Sequence, residues 1–299
     1  MENIVLQTNN LSKTFGKHKA VDSVNISAYQ GEVFGFLGPN GAGKTTTLGM
    51  VLGLIHPTDG DVTVLGERVT PNRTGVLKQV GALLGAPAFV PYLSAWTNLE
   101  LVARLSPGVD KQRIADVLKL VGLSDYARRK VGMFSTGMKQ RVGLAMALVH
   151  RPRFVILDEP TNGLDPAGMR EIRGLLRGLA DNGTTVLLSS HLLNEVQQVC
   201  DRIAVLNKGK VVAQGLVSDL LREQKPAVRL KLAPDCDPTT ALRGLDRVES
   251  IERDGQWVII QGIETQPVLN HLLAQGIIPL EITNHKNDLE ALFMDVTAA

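Results

Sequence analysis

Short apolar runs separated by polar turns fill the first part of the chain. Runs at residues 4–6, 23–28 and 32–36 alternate or are wholly apolar, which predicts the strands of an antiparallel β layer. A helix is predicted over residues 45–55, and a further strand over residues 61–65. The N-terminal part is therefore expected to be mainly sheet, with one helix between its strands.

The middle of the chain alternates between helical and strand patterns. Apolar residues recur about every 3.6 positions between residues 94 and 147, which predicts helices. Continuous apolar runs at residues 154–157, 184–190 and 202–206 are typical of parallel strands that are buried on both faces. This alternation predicts an α/β fold with a mostly parallel sheet and an inserted helical subdomain at about residues 86–147.

Beyond about residue 222 the pattern changes to a smaller set of elements. Asp254 and Gly255 form a hairpin signal between two of the predicted strands. The order β-α-β-β-α-β is that of a ferredoxin-like domain, and a short helix follows it. We therefore predict two domains, residues 1–222 and a small accessory α+β domain of residues 223–299. The predicted elements are strands at 227–232, 248–253, 256–262 and 277–283 and helices at 238–245, 265–275 and 286–296.

Composition excludes several classes of protein. The 299 residues are 44% hydrophobic and 21% charged, and the net charge of +2 gives no sign of a nucleic-acid partner. The two cysteines, Cys200 and Cys236, are far apart, so neither a disulfide framework nor a C-x-x-C zinc site is available. The chain shows no signal peptide and no apolar stretch near the roughly 18–20 residues of a spanning helix. We expect a cytoplasmic protein, and if it works at a membrane, another chain crosses that membrane.

Residues 38–45, GPNGAGKT, match the pattern G-x-x-x-x-G-K-[ST] between a predicted strand and a predicted helix. Backbone N–H groups and the positive end of the helix dipole make such a turn a cradle for a polyphosphate. Lys44 would reach the β- and γ-phosphates, and the Thr45 hydroxyl would hold Mg²⁺. The residues predicted to bind the nucleotide here are Gly38, Pro39, Asn40, Gly41, Ala42, Gly43, Lys44, Thr45 and Thr46.

Two carboxylates and an imidazole follow predicted strands further along. Asp158, at the tip of the 154–157 run, suits Mg²⁺ binding, and Glu159 is placed to orient and deprotonate an attacking water. Such an acidic pair can also serve only as a helix N-cap. His191 follows the 184–190 run, at the carboxyl edge of a parallel strand where ligands bind, which favours a contact with the γ-phosphate.

The segment at residues 134–141 precedes an apolar helical run. Taken alone, Ser135 is a good N-cap residue. Together with the motifs above, however, residues 1 to about 222 resemble the nucleotide-binding subunit of an ATP-binding cassette (ABC) transporter. Six motifs occur in the order of that family. They are the aromatic Phe15, the phosphate loop, the signature segment 135–138, the acidic strand end, the turn with Asp165, and His191.

The resemblance implies a fold of the P-loop NTPase type and roles for these residues. Phe15 would stack on adenine, and Ser135 and Gly137 would contact phosphate, with Asp165 nearby. The signature segment departs from the family pattern at Thr136, where glycine is usual, and at Met138, where glutamine is usual.

The resemblance also implies an ATPase with ATP and Mg²⁺ as ligands and Lys44, Glu159 and His191 as catalytic residues. In this family the signature segment completes the ATP site of a second cassette. We therefore expect a homodimer, or a pair with a related cassette, bound to a separate membrane permease at the cytoplasmic face of the membrane. Details of the sequence resemble the exporter branch that handles drugs, antibiotics, lantibiotics or lipid-like molecules, although the substrate cannot be read from this chain.

One position departs from the family where a metal or water contact is usual. The family carries glutamine, or in some exporters glutamate, at the position that Gly85 occupies here. Two interpretations follow. Either water completes the metal coordination in a working but slower ATPase, or the site has lost part of its coupling.

An apolar stretch follows this position. Residues Ala86, Pro87, Phe89, Pro91 and Tyr92 lie where the sheet passes into the helical region. Our hypothesis is that this stretch receives a short cytoplasmic helix of the permease. The alternative is that it only packs locally in the core.

Two further functions are open. A cassette ATPase that acts on ribosomes or DNA usually has two cassettes or a long coiled-coil insertion, and neither is present. A regulatory module that binds nucleotide without turnover is supported only by Gly85. The role of residues 223–299 is open between dimer contact, gating by a ligand and completion of the fold, and we favour dimer contact.

Overall fold

The computed structural model describes residues 3–70, 72–222, 226–233, 237, 241–242, 244–245, 248–285, 289–290 and 292–293. The chain divides into two compact units, Met1–Val217 and Ser218–Ala299. Each unit has a hydrophobic core of its own.

The first unit begins with four strands, and helices and further strands follow them. Its strands are β1 (Ile4–Phe15), β2 (His18–Val24), β3 (Ser27–Tyr29), β4 (Val33–Leu37), β5 (Asp59–Val64), β6 (Glu67–Arg68), β7 (Val80–Leu83), β8 (Phe154–Asp158), β9 (Thr185–Ser190), β10 (Arg202–Asn207) and β11 (Lys210–Leu216). Its helices are α1 (Lys44–Val51), α2 (Ala95–Ala103), α3 (Lys111–Leu120), α4 (Thr136–Leu148), α5 (Pro166–Asp181) and α6 (Leu193–Val199), and α7 (Val217–Arg222) lies at the boundary.

A six-stranded sheet in the order β11-β10-β4-β9-β8-β7 forms the centre of the first unit. The pairs from β10 to β7 are parallel, and β11 joins the edge antiparallel to β10. Every residue of β4, β8 and β9 is buried, as expected for parallel strands covered on both faces. The predicted α/β fold with a mostly parallel sheet is confirmed.

The prediction that residues 32–36 belong to the antiparallel layer is wrong. Strand β4 pairs in parallel with β10 and β9, because its side chains are apolar on both faces, whereas a strand of the outer layer buries only one. The antiparallel sheet instead has the order β2-β1-β5-β6, with β3 also paired to β1. The predicted run 23–28 is divided between the end of β2 and the start of β3, with residues 25–26 between them, and Ser23 near the end of β2 has a φ of 52°.

Both sheets share one core with α1. Leu6 and Leu11 of the antiparallel sheet, Phe36 and Phe154 of the parallel sheet, and Leu48 of α1 belong to the same buried cluster. This packing fixes the turn from β4 into α1 between two sheets.

Three helices, α2 to α4, lie between β7 and β8, in the region predicted as a helical insertion. Each begins with a side chain that accepts a hydrogen bond from the helix backbone. Ser94 accepts from Thr97 N, Asp110 from Arg113 N and Ser135 from Met138 N. The starts of these helices are therefore specified locally.

The elements of the second unit include β12 (Ala227–Lys231), β13 (Ser250–Asp254), β14 (Trp257–Gln261), α8 (Thr265–Ala274) and β15 (Glu281–His285). The four strands form an antiparallel sheet in the order β13-β14-β12-β15. Val228, Leu230 and Ile260 of the sheet share a core with Val268 and Leu272 of α8. The predicted helices at 238–245 and 286–296 fall largely outside the described residues. Within the described ranges, no helix combines the length and apolarity needed to cross a membrane.

Candidate functional site

The phosphate loop, residues 38–45, joins the end of β4 to the start of α1. Gly43 has a φ of 104°, and a Cβ atom there would lie 2.5 Å from the carbonyl oxygen of Ala20. A side chain at this position is therefore excluded by both conformation and space. The first N–H groups of α1 have no intrahelical partners, so the loop presents donors suited to an anion.

Lys44 is the cation of this loop and is only 7% exposed. Its Nζ donates to the carbonyl oxygens of Gly38 at 2.6 Å and Pro39 at 3.3 Å, and it lies 3.8 Å from Glu159 Oε1. The amine is thus held at the loop, beside the carboxylate predicted to activate water.

Asp158 ends strand β8 beside the start of α1. Thr45 Oγ1 donates to Asp158 Oδ2 at 3.0 Å, and the Ser189 hydroxyl donates a short hydrogen bond to Asp158 Oδ1. A hydroxyl and a carboxylate oxygen are hard ligands of the kind that Mg²⁺ prefers. The structure therefore brings together the two residues predicted to hold the metal, and it does not use Asp158 as a helix N-cap.

Glu159 lies one residue beyond the strand with a φ of 51°. Its Oε2 lies 2.8 Å from His191 Nδ1, the distance of an imidazole N–H that donates to a carboxylate. Gln140 Nε2 also donates to the Glu159 carbonyl oxygen at 3.4 Å. The structure thus joins the predicted base and the predicted γ-phosphate contact, although they are 32 positions apart.

Lys44, Thr45, Asp158 and Glu159 border one cleft of about 400 Å³. Phe15 lines one side with half of its surface exposed, and Lys13 Nζ lies 5.1 Å from the centre of its ring. His18 and Ala20 also line the cleft, and the sequence pattern missed them because it did not reveal β2. The lining residues are Phe15, His18, Ala20, Pro39, Asn40, Gly41, Gly43, Lys44, Thr45, Thr46, Asp158 and Glu159.

Some residues predicted to bind the nucleotide are not in this lining, namely Gly38, Ala42, Ser135, Gly137 and Asp165, and the predicted γ-phosphate contact His191 is not in it either. Ser135 caps α4, and Asp165 caps α5 by accepting from Gly168 N at 2.8 Å. Close contacts bring the two helix starts together, since a Cβ on Gly137 would lie 2.9 Å from a methyl carbon of Leu164. The signature segment and the Asp165 turn therefore form one local surface, separate from the lining of the chain's own cleft.

Gly85 follows β7 with a φ of 60°, and no atom lies within 4 Å of where its Cβ would be. The backbone here thus favours glycine, and open space surrounds it.

The 86–92 stretch has a defined conformation. Asn98, a buried side chain, accepts from Val90 N at 2.7 Å and donates to Val90 O at 3.1 Å and Ser94 O at 2.9 Å. Tyr92 is 71% exposed, whereas Phe89 is half-buried. The stretch is therefore an ordered turn with one aromatic ring largely open to solvent.

The fold and the cleft define a P-loop nucleotide-binding domain, and comparisons with known proteins identify its family. A family model described as ABC transporter matches residues 21–162. An uncharacterized ABC transporter ATP-binding protein of Bacillus subtilis strain 168, YhcH, is 39% identical over 98% of this chain and 96% of its own length. This chain belongs to the family of ABC transporter ATP-binding proteins, and it is an ATPase by class.

Two further similarities concern function and assembly. The bacitracin transport ATP-binding protein BcrA of Bacillus licheniformis is 37% identical over 97% of this chain and 96% of its own length. The solved structure of a dimeric ATP-binding cassette in a post-hydrolysis state, bound to ADP and Pi, matches 71% of this chain and 98% of its own. Its TM-score is 0.65, at 27% sequence identity. The resemblance inferred from the motifs is confirmed.

Proposed function

We propose that this chain hydrolyses MgATP in the cleft lined by the phosphate loop and thereby powers export through a permease on a separate chain. The observation that supports this most strongly is that Lys44, Asp158 and Glu159 meet in one cleft. A cation for the phosphates, oxygen ligands for Mg²⁺ and a carboxylate beside the attacking water are the parts that phosphoryl transfer requires.

Each residue has a distinct task in this proposal. Lys44 exchanges the carbonyl oxygens of its loop for oxygens of the β- and γ-phosphates. Thr45 and Asp158 would hold Mg²⁺, which would neutralise phosphate charge. Glu159, fixed through Oε2 by His191, uses Oε1 to accept the proton of the attacking water. The Nε2 atom of His191 is left to contact the γ-phosphate.

The active assembly in this proposal is a homodimer. Ser135, Gly137 and Asp165 share a surface outside the lining of their own cleft. A two-fold dimer would place this surface against the cleft of the partner, so that each ATP contacts both chains. The dimeric cassette structure similar to this chain supports such an arrangement.

Mixing two inactive variants tests the shared site. Lys44→Ala removes the phosphate contact of one chain, and Ser135→Asp places a negative charge before the γ-phosphate while keeping a good helix cap. Each variant alone should lose turnover. Mixed in equal amounts, they should regain about a quarter of the parent rate, because half of the dimers are mixed and each mixed dimer keeps one intact site. Absence of recovery, with mixed dimers shown by differential tagging, would contradict a shared site.

The proposed permease lies in the membrane, with this chain attached to its cytoplasmic face. The 37% identity with a bacitracin transport ATP-binding protein over nearly both full lengths supports an antibiotic or similar amphipathic substrate. A direct test is co-purification of the tagged chain from solubilised membranes, where a polytopic membrane protein should be recovered with it.

We further propose that the 86–92 stretch contacts this permease. The turn is held in shape by Asn98, and it exposes most of Tyr92 and part of Phe89. An aromatic ring presented on an ordered backbone suits contact with a short amphipathic cytoplasmic helix of the permease.

Replacing both Phe89 and Tyr92 by alanine should therefore uncouple transport. We expect permease co-purification to fall about tenfold or more, since exposed aromatic anchors at interfaces are often worth over 1 kcal/mol each. ATP turnover of the isolated chain should remain near the parent value. A matched pair of exposed leucines, Leu105→Ala and Leu120→Ala, provides the control. Intact assembly and transport in the aromatic variant would remove this contact from the proposal.

A nucleotide-binding regulatory module is the second candidate, supported by Gly85. Because this position has no side chain and open surroundings, it supplies no ligand to metal or water. This candidate predicts that the purified chain binds ATP without turnover even when the permease is present.

A further inference from the structure

We propose that Ser189 is a positioning residue. Through one hydroxyl group it orients both Asp158, which binds the metal, and Glu159, which activates the water. This role rests on the hydrolysis of MgATP proposed above.

Ser189 lies near the end of β9 and has no exposed surface. Its hydroxyl donates to Asp158 Oδ1 and accepts from the backbone N–H of Glu159 at 3.1 Å. A hydroxyl has one proton and two lone pairs, so it can serve both groups at once. One side chain therefore links the two consecutive carboxylate residues.

The effect on Asp158 is to fix the rotation of its carboxylate. Thr45 donates to Oδ2 at 3.0 Å, while Ser189 occupies Oδ1. With one donor on each oxygen, the carboxylate plane has a single preferred orientation before a metal arrives. Without the hydroxyl, Oδ1 would be left in a buried site without this donor.

The effect on Glu159 acts through the backbone. The residue has a φ of 51°, which is uncommon for a side chain other than glycine. Its N–H lies 3.1 Å from Ser189 Oγ and 3.2 Å from Ser189 O, so both acceptors of one residue hold this conformation. The direction in which the Glu159 side chain leaves the strand, toward His191, depends on it.

Ser189→Ala tests this role, and the chain offers a matched control. Thr185, on the same strand, is also fully buried, and its hydroxyl accepts from Gly31 N at 3.0 Å and donates to Tyr29 O at 3.3 Å. Thr185→Val removes a hydroxyl of the same bonding pattern at the end of the strand away from the carboxylates. Ser189→Cys keeps the shape of the side chain with a weaker donor.

The readout is calorimetric titration of the full chain with ADP, first in excess EDTA and then in excess Mg²⁺. Removing a group that orients a metal ligand typically costs about 10- to 100-fold in metal affinity or activity. We expect the increase in ADP affinity that Mg²⁺ produces to be at least tenfold smaller in Ser189→Ala than in the parent. The ADP affinity measured in EDTA should be unchanged. The kcat of Ser189→Ala should also fall at least tenfold at saturating ATP. Both quantities should lie between the parent and Ser189→Ala values in Ser189→Cys, and both should stay within about threefold of the parent in Thr185→Val.

Two results would overturn the proposal. One is a Ser189→Ala protein whose Mg²⁺-dependent gain and kcat equal those of the parent. The other is a loss of ADP affinity in Ser189→Ala that is the same in EDTA and in Mg²⁺, or a Thr185→Val protein with the same losses as Ser189→Ala. Either finding would indicate general structural damage. Failure of the proposed function is a separate outcome, since the parent itself would then show no magnesium-dependent hydrolysis.

Discussion

Replacing Glu159 by glutamine should stop ATP turnover while leaving ATP bound. An amide cannot accept a proton from the attacking water, and loss of a general base typically costs about 10²- to 10⁴-fold in rate. Glutamine has nearly the same size, so the contact with His191 and the neighbouring Lys44 can persist. Because hydrolysis would no longer reset the assembly, the variant should elute as a dimer in MgATP and as a monomer without nucleotide. Phosphate release and size-exclusion chromatography measure both results.

The matched control is Glu67→Gln, an exposed carboxylate on β6 outside the cleft lining. It should hydrolyse ATP at the parent rate and show no ATP-locked dimer. If Glu159→Gln were as active as the parent, another group would have to activate the water. A monomer in MgATP would instead argue against closure of two cassettes around the nucleotide.

Replacing Lys44 by alanine should weaken ATP binding as well as turnover. The amine is the cation of the phosphate loop, and hydrogen bonds to charged groups contribute about 1.5–3 kcal/mol each. We expect the Kd for MgATP to rise about 10- to 100-fold and turnover to become undetectable. Fluorescence titration with a labelled ATP analogue measures the binding, and phosphate release measures the turnover.

Lys44→Arg should fail almost as badly, although the charge is kept. The lysine is 7% exposed and fits between two loop carbonyls, where a planar guanidinium is wider than the ammonium it replaces. Lys119→Ala, at an exposed position on α3, is the control and should bind ATP normally. Parent-like binding in Lys44→Ala would exclude the phosphate loop as the nucleotide site.

Features that depend on consecutive residues were predictable from the sequence. The turn into α1 requires glycine at Gly43 because a Cβ would clash with Ala20 O, and this need is visible as a spaced glycine pattern. The start of α4 follows from Ser135, whose hydroxyl accepts from Met138 N at 3.3 Å. Local chemistry of this kind leaves a readable signal.

Features that depend on partners distant in sequence were not predictable in the same way. The sequence pattern places β4 in the wrong sheet because an apolar run does not indicate which strands pair with it. Strand β2 was missed because HKAVDSV mixes polar and apolar residues, and with it the lining residues His18 and Ala20. Ser189 is one of two adjacent serines, and its role becomes visible only when β8 and β9 pair and bring Asp158 opposite to it.

The hydrogen bonds that Asn98 makes to the 86–92 turn have a consequence for how such subunits diversify. Its amide bonds to main-chain groups of residues 90, 93 and 94, so these bonds do not depend on which side chains stand at Phe89 and Tyr92. Substitutions at Phe89 or Tyr92 can then change the chemistry of the surface without altering its shape. Under the proposed permease contact, the same backbone turn can therefore present different side chains to different membrane partners.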